Sequence, residues 1–258
     1  MTSSAVSPYS RDRLPSALRP ITLERGVNRY AEGSALVRWG DTVVHCTATV
    51  EEKVPTFLRG TGGGWVSAEY AMLPRATHDR TPRDVQRGRL NGRSSEIQRL
   101  IGRSLRAAVD LGAIGERTVW IDCDVLQADG GTRTASITAS FVCLVDALRC
   151  VARADAALLP ALREQVAAVS VGKVDGRVVL DLCYEEDRAA EVDCNVVKSA
   201  RGDFIEIQGT GEDGVFSRAE LDEMLSLADA GLEELFGLQR EALDLTPAEK
   251  EFFDGLRG

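Results

Sequence analysis

The feature that most constrains the fold of this chain is a set of short strands followed by a long apolar helix, which occurs twice in 258 residues. In the first half, alternating Val- and Thr-rich segments predict strands, and apolar helical spacing then continues to about Ala152. The predicted strands of the two halves lie near 35–39, 42–50, 65–70 and 117–127, and near 166–174, 177–184, 192–199 and 203–209. This order predicts an α+β fold in which two similar strand–helix halves share one core.

The helix starts of the second half are marked by capping boxes. Ser217 with Glu220 opens a helix that we expect to reach about Leu243, and Thr246 with Glu249 opens a short terminal helix. We therefore predict one domain over residues 15–245, with halves at about 15–152 and 160–245. Residues 246–258 are predicted to form a C-terminal extension.

Composition excludes several classes of protein. With 44% hydrophobic and 28% charged residues and a net charge of −9, the chain can bury a core and is not disordered throughout. No run approaches the roughly 18 uninterrupted apolar residues of a spanning helix, and the N-terminus lacks the apolar segment of a secretory signal. We therefore expect a cytoplasmic protein without a membrane partner.

Cysteine and histidine are too sparse for disulfide or zinc scaffolds. None of the six cysteines forms a Cys-x-x-Cys pair, and His45 and His78 are the only histidines. Since the cysteines occur mostly in apolar runs, we expect buried free thiols. Chemistry must then come from carboxylates, arginines and a metal.

An arginine loop, residues 74–93, is the first candidate functional segment. Between Arg75 and Arg106 the chain has nine arginines, no lysine and only three acids. A solvated loop would explain some of them, but it does not explain such clustering in an acidic protein. Because the guanidinium group binds phosphate oxygens in pairs, a phosphate-rich partner such as a nucleic-acid end is favoured.

The second candidate is the segment DGGTRTAS at 129–136, at a predicted strand-to-helix junction. Its glycines allow a close approach of the backbone, and a helix N-terminus favours an anion. An ordinary capped turn remains the alternative. Without a Gly-Lys-Ser/Thr sequence it is not a Walker loop.

Acidic residues between Asp181 and Asp193 form the third candidate. Asp187 and Asp193 are six residues apart, which would put both on one face of a continuous strand. Carboxylates beside bound phosphates suit Mg²⁺. A solvated acidic turn is the alternative, and it explains Glu185 and Glu186 well.

Together, four stretches resemble the ribonuclease PH family: GWVSAEYAMLPRATH at 64–78, GRSSEIQRLI at 92–101, DCDVLQADGGTRTASI at 122–137 and EIQGT at 206–210. The similarity runs from about Arg19 to Leu243. It implies an RNase PH-type fold and a phosphorolytic 3′→5′ exoribonuclease that trims tRNA precursors and other RNA 3′ ends. Nucleoside diphosphates would be released, and the reverse reaction would add nucleotides.

The resemblance also implies site residues and partners. It assigns the attacking phosphate to Arg93, Gly131, Thr132 and Arg133, a magnesium ion to Asp187 and Asp193, and RNA guidance to Arg75, Arg80 and Arg83. Catalysis would rest on Arg93, Arg133 and the two aspartates. A homohexamer built as a trimer of dimers is implied, with inorganic phosphate and RNA as partners and no DNA.

Departures from the family pattern include Arg188, Cys183 and the charged turn at 198–202, and two rival functions stay open. Arg188 and Cys183 stand where the family usually has a small and an acidic residue, and Arg188 would either weaken metal binding or face solvent.

An inactive RNA-binding scaffold subunit is one rival, and a hydrolytic metal-dependent nuclease is the other. The Gly-Thr-Arg sequence and both aspartates argue against the first, and the scarcity of further metal ligands argues against the second.

Overall fold

The structure is a computed structural model that describes residues 13–83, 88, 91–154, 161–212 and 214–256. In these ranges the strands are β1 (Ile21–Arg25), β2 (Gly33–Trp39), β3 (Thr42–Glu51), β4 (Trp65–Met72), β5 (Thr118–Gln127), β6 (Val166–Val174), β7 (Arg177–Leu180), β8 (Val192–Ser199) and β9 (Phe204–Gly211). The helices are α1 (Gly92–Ala107), α2 (Leu111–Ile114), α3 (Thr132–Ala154), α4 (Tyr184–Ala189), α5 (Arg218–Leu243) and α6 (Pro247–Gly255). The predicted α+β class is confirmed.

Each half contributes one sheet. The first has the order β1-β2-β3-β5-β4, in which β4 runs parallel to β5 and the other neighbours are antiparallel. The second has the order β7-β6-β8-β9 and is antiparallel throughout. Because parallel neighbours need a crossover, the arginine loop and α1 fill the connection from β4 towards β5. This crossover places the start of α1 near the start of α3.

Helix α3 forms the centre of the molecule and packs against β2 and β3 of one sheet and β6 of the other. Its segment Thr132–Ala152 has the length and mean hydropathy (1.6) of a membrane span, and 72% of that window is buried inside the protein. Charged residues interrupt this stretch, so it contains no apolar run of the length considered in the sequence. Its burial between two sheets is that of the core helix of a globular domain.

The C-terminal helix is packed onto the same core. Helix α6 begins at the capping box of Thr246 and Glu249, as predicted. Its Phe253 is 2% exposed and lies edge-to-face on Phe141 of α3, with ring centroids 6.4 Å apart. Residues 246–256 therefore cover part of the core, which the sequence pattern did not indicate.

The cysteines are mostly buried thiols, as expected. Cys46, Cys123, Cys143 and Cys194 are buried, Cys183 is partly buried, and none is in a disulfide. The expectation of burial is wrong for Cys150, which is exposed near the end of α3.

The structure corrects the sequence prediction between residues 180 and 191. A strand was predicted to continue through 184, but β7 ends at Leu180 and the chain then forms α4. The Cys183 amide donates to Glu186 Oε2 at 2.9 Å, and three acidic residues occupy the first turn, where the helix dipole favours negative charge. Asp187 therefore lies on a helix and Asp193 on β8, and the idea of one continuous strand carrying both is wrong.

Several predicted features lie outside the described residues. These are Asp84, Arg87 and Arg89 of the arginine loop, the boundary near residue 160, and the last two residues of the extension; residues 1–12 also lie outside the described ranges.

Candidate active site

Two arginines and two aspartates from different halves line one cavity of about 360 Å³. The arginines are Arg93 of α1 and Arg133 of α3, and the aspartates are Asp187 of α4 and Asp193 of β8. The structure thus brings together all four residues expected to carry catalysis. The remaining lining residues are Glu96, Arg188, Ala190, Gln208, Thr210 and Glu212.

Both arginines occupy the second position of a helix. Asn91 caps α1 by accepting from the Arg93 amide at 3.1 Å, and α3 begins at Thr132, one residue before Arg133. The first-turn amides of a helix have no partner inside the helix, and its dipole is positive at this end. Two helix N-termini and two guanidinium groups therefore give this part of the site a strong preference for an anion.

The glycine turn consists of Asp129, Gly130 and Gly131 with the first two residues of α3, Thr132 and Arg133. Gly130 and Gly131 have φ values of +71° and +64°, a conformation that suits glycine. A Cβ on Gly130 would lie 2.5 Å from the Leu182 carbonyl oxygen, so the position has no room for a side chain. The glycine turn is therefore pressed directly against the chain that leads into α4.

The side chains of Thr42 and Arg19 form hydrogen bonds with the backbone of the glycine turn. The Thr42 hydroxyl donates to the Gly130 carbonyl at 2.6 Å and accepts from the Asp129 amide at 2.9 Å. The Arg19 guanidinium donates to the carbonyl oxygens of Asp129 and Gly130. These contacts fix the direction in which the helix N-terminus points.

Arg19 is in turn fixed by Asp181. Their side chains, 5% and 1% exposed, form a bidentate ion pair with Nη2 to Oδ1 at 2.8 Å, and Trp39 Nε1 also donates to Asp181 at 2.8 Å. Burial opposes ionisation of Asp181, but the hydrogen bonds and charge of Arg19 outweigh it and lower its pKa. Asp181 is thus a support of the glycine turn and does not line the catalytic cavity.

Thr132 and Arg133 are each held by a neighbouring element. Thr132 Oγ1 lies 2.8 Å from the Tyr70 hydroxyl, and Arg133 Nη1 donates to Gln208 Oε1 of β9. Gln208 also donates to Glu96 of α1 at 3.1 Å, and Arg133 lies 3.5 Å from the same carboxylate. The anion-binding groups are therefore placed before any ligand arrives.

On the side of the cavity that carries Asp187 and Asp193, burial disfavours the ionised carboxylates. Burial, reinforced by the charges of Asp187 and Glu212 and opposed by that of Arg133, raises the pKa of Asp193 to about 6. Burial likewise raises the pKa of Asp187, while the charges of Arg93 and Arg133 work in the opposite direction. Two partly buried carboxylates that repel each other beside a phosphate-binding surface suit a divalent cation.

The donor set is compatible with magnesium. Within the described ranges, no group of three or more His, Cys, Asp or Glu side chains is arranged to hold a metal. Mg²⁺ commonly takes one or two carboxylates and completes its shell with water and substrate phosphates. Asp187 and Asp193 fit that requirement.

The neighbouring acids of α4 have other roles. Glu186 is 5% exposed and pairs with Arg13 at 3.0 Å, so the solvated-turn interpretation is wrong for Glu186. Glu185 is exposed, as expected. Arg188 is exposed and lines the cavity beside both aspartates, so it stays within reach of a ligand.

The loop arginines assigned to RNA lie around the site. Arg83 lines a cavity of about 670 Å³ that shares Arg93 with the catalytic cavity. Arg75 lines a separate one of about 380 Å³ beside Asp129 and Tyr184. Arg80 is exposed and lines none of these three cavities. Of the three, Arg83 alone lines a cavity that shares a residue with the catalytic cavity.

Sequence reasoning missed several lining residues. Gln208, Thr210 and Glu212 follow one another at every second position along and just beyond β9, so they share a face. The first two lie in the EIQGT stretch, and the alternation could have pointed to Glu212. Arg19 and Thr42 left no such signal, because their partners are distant in sequence.

This combination of fold and site defines a class of enzyme that acts on phosphate groups at the junction of two strand–helix halves. The sequence matches the model of the 3′ exoribonuclease family, domain 1, over residues 17–149, and that of domain 2 over residues 164–231. It is 57% identical over 226 residues to a ribonuclease PH of Moorella thermoacetica, covering 88% of this chain and 90% of that protein. The chain belongs to the 3′ exoribonuclease family.

Solved structures agree on the fold. The crystal structure of rice (Oryza sativa) Rrp46 matches with a TM-score of 0.72 at 20% identity, over 90% of this chain and 98% of that one. A chain of the Archaeoglobus fulgidus exosome with RNA bound to the active site gives 0.71 at 23% identity, over 86% and 89%. The resemblance inferred from sequence, its RNase PH-type fold and its phosphorolytic exoribonuclease activity are confirmed.

Proposed function

We propose that this phosphorolytic 3′→5′ exoribonuclease trims the 3′ ends of tRNA precursors and other RNAs in the cytoplasm, with magnesium as cofactor and as a homohexamer built from three dimers. The observation that carries the site assignment is the single cavity lined by Arg93, Arg133, Asp187 and Asp193. The relative named ribonuclease PH supports the RNA class. One domain over 15–245, with halves at 15–152 and 160–245, remains our proposed division.

The attacking phosphate binds at the two helix N-termini. Arg93 and Arg133, which line the cavity, supply guanidinium groups. Gly131 and Thr132 lie behind Arg133 at the start of α3 and are not among the lining residues; Thr132 would supply a hydroxyl, and both would supply backbone amides. Inorganic phosphate is already largely ionised near neutral pH, so it needs little help from a general base. The protein's contribution is placement and neutralisation of charge, which accords with its scarcity of histidine.

The two aspartates hold the cation on the opposite side of the cavity. When bound there, magnesium supplies positive charge beside the phosphodiester and the leaving oxygen. A bound cation also relieves the repulsion between Asp187 and Asp193. Both carboxylates must be ionised to bind it, so the cofactor's affinity falls as the pH drops below about 6, where Asp193 takes up a proton.

The reaction transfers the terminal nucleotide to phosphate. An oxygen of inorganic phosphate forms a bond to the phosphorus of the last phosphodiester, and the bond from that phosphorus to the preceding 3′ oxygen breaks. The nucleoside diphosphate leaves, and the shortened RNA keeps a 3′ hydroxyl that can re-enter the cycle. The reverse reaction adds a nucleotide and releases phosphate.

The loop arginines guide the RNA towards the site. Arg75, Arg80 and Arg83 are exposed, and Arg83 shares a cavity with Arg93. Exposed guanidinium groups bind the phosphate backbone without reading the bases. We expect these residues to affect binding of RNA more than the chemical step.

The decisive experiment follows the released nucleotide. The purified protein is incubated with magnesium and an RNA that carries a labelled 3′-terminal nucleotide, with and without inorganic phosphate. We expect labelled nucleoside diphosphate only when phosphate is present. Release of monophosphate without phosphate would identify a hydrolase, and RNA binding without release would identify a scaffold.

The same assay tests the two aspartates. Asp187→Asn with Asp193→Asn removes both charges with little change in volume, so we expect turnover to be lost while the circular dichroism spectrum is retained. The matched control is Asp222→Asn with Asp229→Asn, two partly exposed acids on α5. Substantial activity in the first double variant would remove the proposed metal role.

A further inference from the structure

Tyr70 is a buried residue next to the proposed phosphate site that the reaction described above does not use. It lies on β4, paired in register with Cys123 of β5, and is 2% exposed. Its hydroxyl is 2.8 Å from Oγ1 of Thr132, the first residue of α3, and either oxygen could be the donor. The two hydroxyls therefore share one hydrogen bond across the start of the helix.

The direction of that hydrogen bond decides what Thr132 can offer to a ligand. Each hydroxyl has a single proton and can also accept. If Thr132 donates to Tyr70, its proton is used and its lone pairs face the anion. If Tyr70 donates, the Thr132 proton is available to a phosphate oxygen, as an anion at a helix N-terminus requires.

We propose that Tyr70 is a positioning residue: it donates to Thr132 Oγ1 and so directs the Thr132 proton at the attacking phosphate. This inference rests on the proposed role of Thr132 in phosphate binding. Tyr70 acts through Thr132, because its own side chain is almost entirely buried. It thereby favours an anionic ligand over water at the start of α3.

The surroundings of Tyr70 support this role. Burial raises the pKa of the phenol, although the hydrogen bond to Thr132 and the charges of Arg93 and Arg133 oppose the rise, so the hydroxyl keeps its proton at neutral pH. Tyr70 and Arg93 also line the same cavity of about 670 Å³, so the phenol lies beside a phosphate-binding residue. At the first position of α3, Thr132 has no preceding helical turn whose carbonyl could take its proton.

The test is Tyr70→Phe, which removes one oxygen atom and retains the ring. Phosphorolysis is measured at saturating RNA over a range of inorganic phosphate concentrations, and at saturating phosphate over a range of RNA concentrations. A lost hydrogen bond of ordinary strength corresponds to a rise of about three- to tenfold in the KM for phosphate. We expect kcat at saturating phosphate and the KM for RNA to stay within about twofold of the wild type.

A double-mutant cycle separates positioning from simple structural support. Thr132→Val removes the hydroxyl through which Tyr70 acts, so Tyr70→Phe should add little to the phosphate KM of that variant. Thr132→Ser retains the hydroxyl and should restore sensitivity to Tyr70→Phe. Tyr30→Phe, at an 82% exposed tyrosine, is the matched control.

The outcomes are distinct. An unchanged phosphate KM in Tyr70→Phe, or the same fold-change in the Thr132→Val background as in the wild type, would overturn the inference. So would a parallel rise in the KM values for phosphate and RNA. If Tyr70→Phe lowers activity only by destabilising the fold, inorganic phosphate will raise the melting temperature of the wild type and of the variant equally. That result would also contradict the inference. If the proposed function itself is wrong, the wild-type protein will release no nucleotide from RNA in a phosphate-dependent manner.

Discussion

The glycine turn and the arginine loop both place positive groups around the candidate active site, but the protein builds them in opposite ways. The glycine turn is held by buried side chains on one side and by the backbone before α4 on the other. Arg75, Arg80 and Arg83 are exposed. An attacking phosphate must be placed to within a fraction of an ångström, whereas a passing RNA backbone needs only attraction.

The difference teaches that charge alone does not identify the catalytic arginines. The sequence has nine arginines between Arg75 and Arg106, and of the seven that lie in the described residues, Arg93 alone lines the catalytic cavity. Arg93 differs from the other described arginines of this run in being the second residue of a helix, capped by Asn91. Placement at a helix N-terminus is therefore the feature that separates a precise anion site from a general electrostatic surface.

Breaking the support of the glycine turn should have the largest effect. Arg19→Ala leaves Asp181 as a buried carboxylate without its cation, and such a change costs about 3–5 kcal/mol of unfolding free energy. Urea denaturation measures the loss. Arg218→Ala removes an exposed ion pair with Asp222 and should cost less than about 1 kcal/mol. Similar small losses in both variants would show that Arg19 does not support the turn.

Removing the charge of Asp193 should have the opposite effect on the free energy of unfolding, because that charge opposes folding. The pKa of Asp193 is raised to about 6, from about 4 for a free aspartate, so the folded state binds a proton more tightly than the unfolded state. Stability therefore falls as the pH rises from about 4 to 6, and the cost above pH 6 is up to about 3 kcal/mol.

Asp193→Asn should remove that cost. In the absence of divalent cations we expect the variant to unfold at a higher temperature than the wild type at pH 8, and the difference to vanish near pH 4. Added magnesium should stabilise the wild type and leave the variant unchanged. A variant less stable than the wild type at pH 8 would contradict the burial argument.

Substitutions in the arginine loop should have the smallest effect on stability and should change only the affinity for RNA. Arg80→Ala with Arg83→Ala should lower the slope of log affinity against log salt by about 1.4 for single-stranded RNA, with the phosphate KM unchanged. Arg201→Ala with Arg218→Ala is the control, since both arginines lie on the surface of the second half. Equal salt slopes for the loop variant and the wild type would exclude RNA contacts by these residues.

The elements of the fold could be predicted because each depends on local pattern. The strand at 166–174 and the helices from Ser217 and Thr246 follow from alternation, apolar spacing and capping boxes within a few residues. The failure at α4 has a local cause. Six helical residues are too few to show a period, and the acidic first turn was taken for metal ligands on a strand.

The site was predicted through family resemblance, and its support could not be predicted from local pattern. Arg19 and Asp181 are 162 residues apart, so only the folded chain shows that they pair. Glu186 and Asp187 are adjacent acids, yet one pairs with Arg13 and the other lines the cavity. Helix periodicity separates such neighbours only after the helix itself has been recognised.

The close contact of Gly130 with the backbone around Leu182 has a consequence for how the enzyme works through a cycle. The anion-binding residues belong to one half and the carboxylates to the other, and this contact sets the gap between them with no intervening side chain. At this contact the two halves have no room to move closer together, so a closing motion of the hinged kind would have to break it. We therefore expect the RNA, and not the two halves, to move by one nucleotide between successive cleavages.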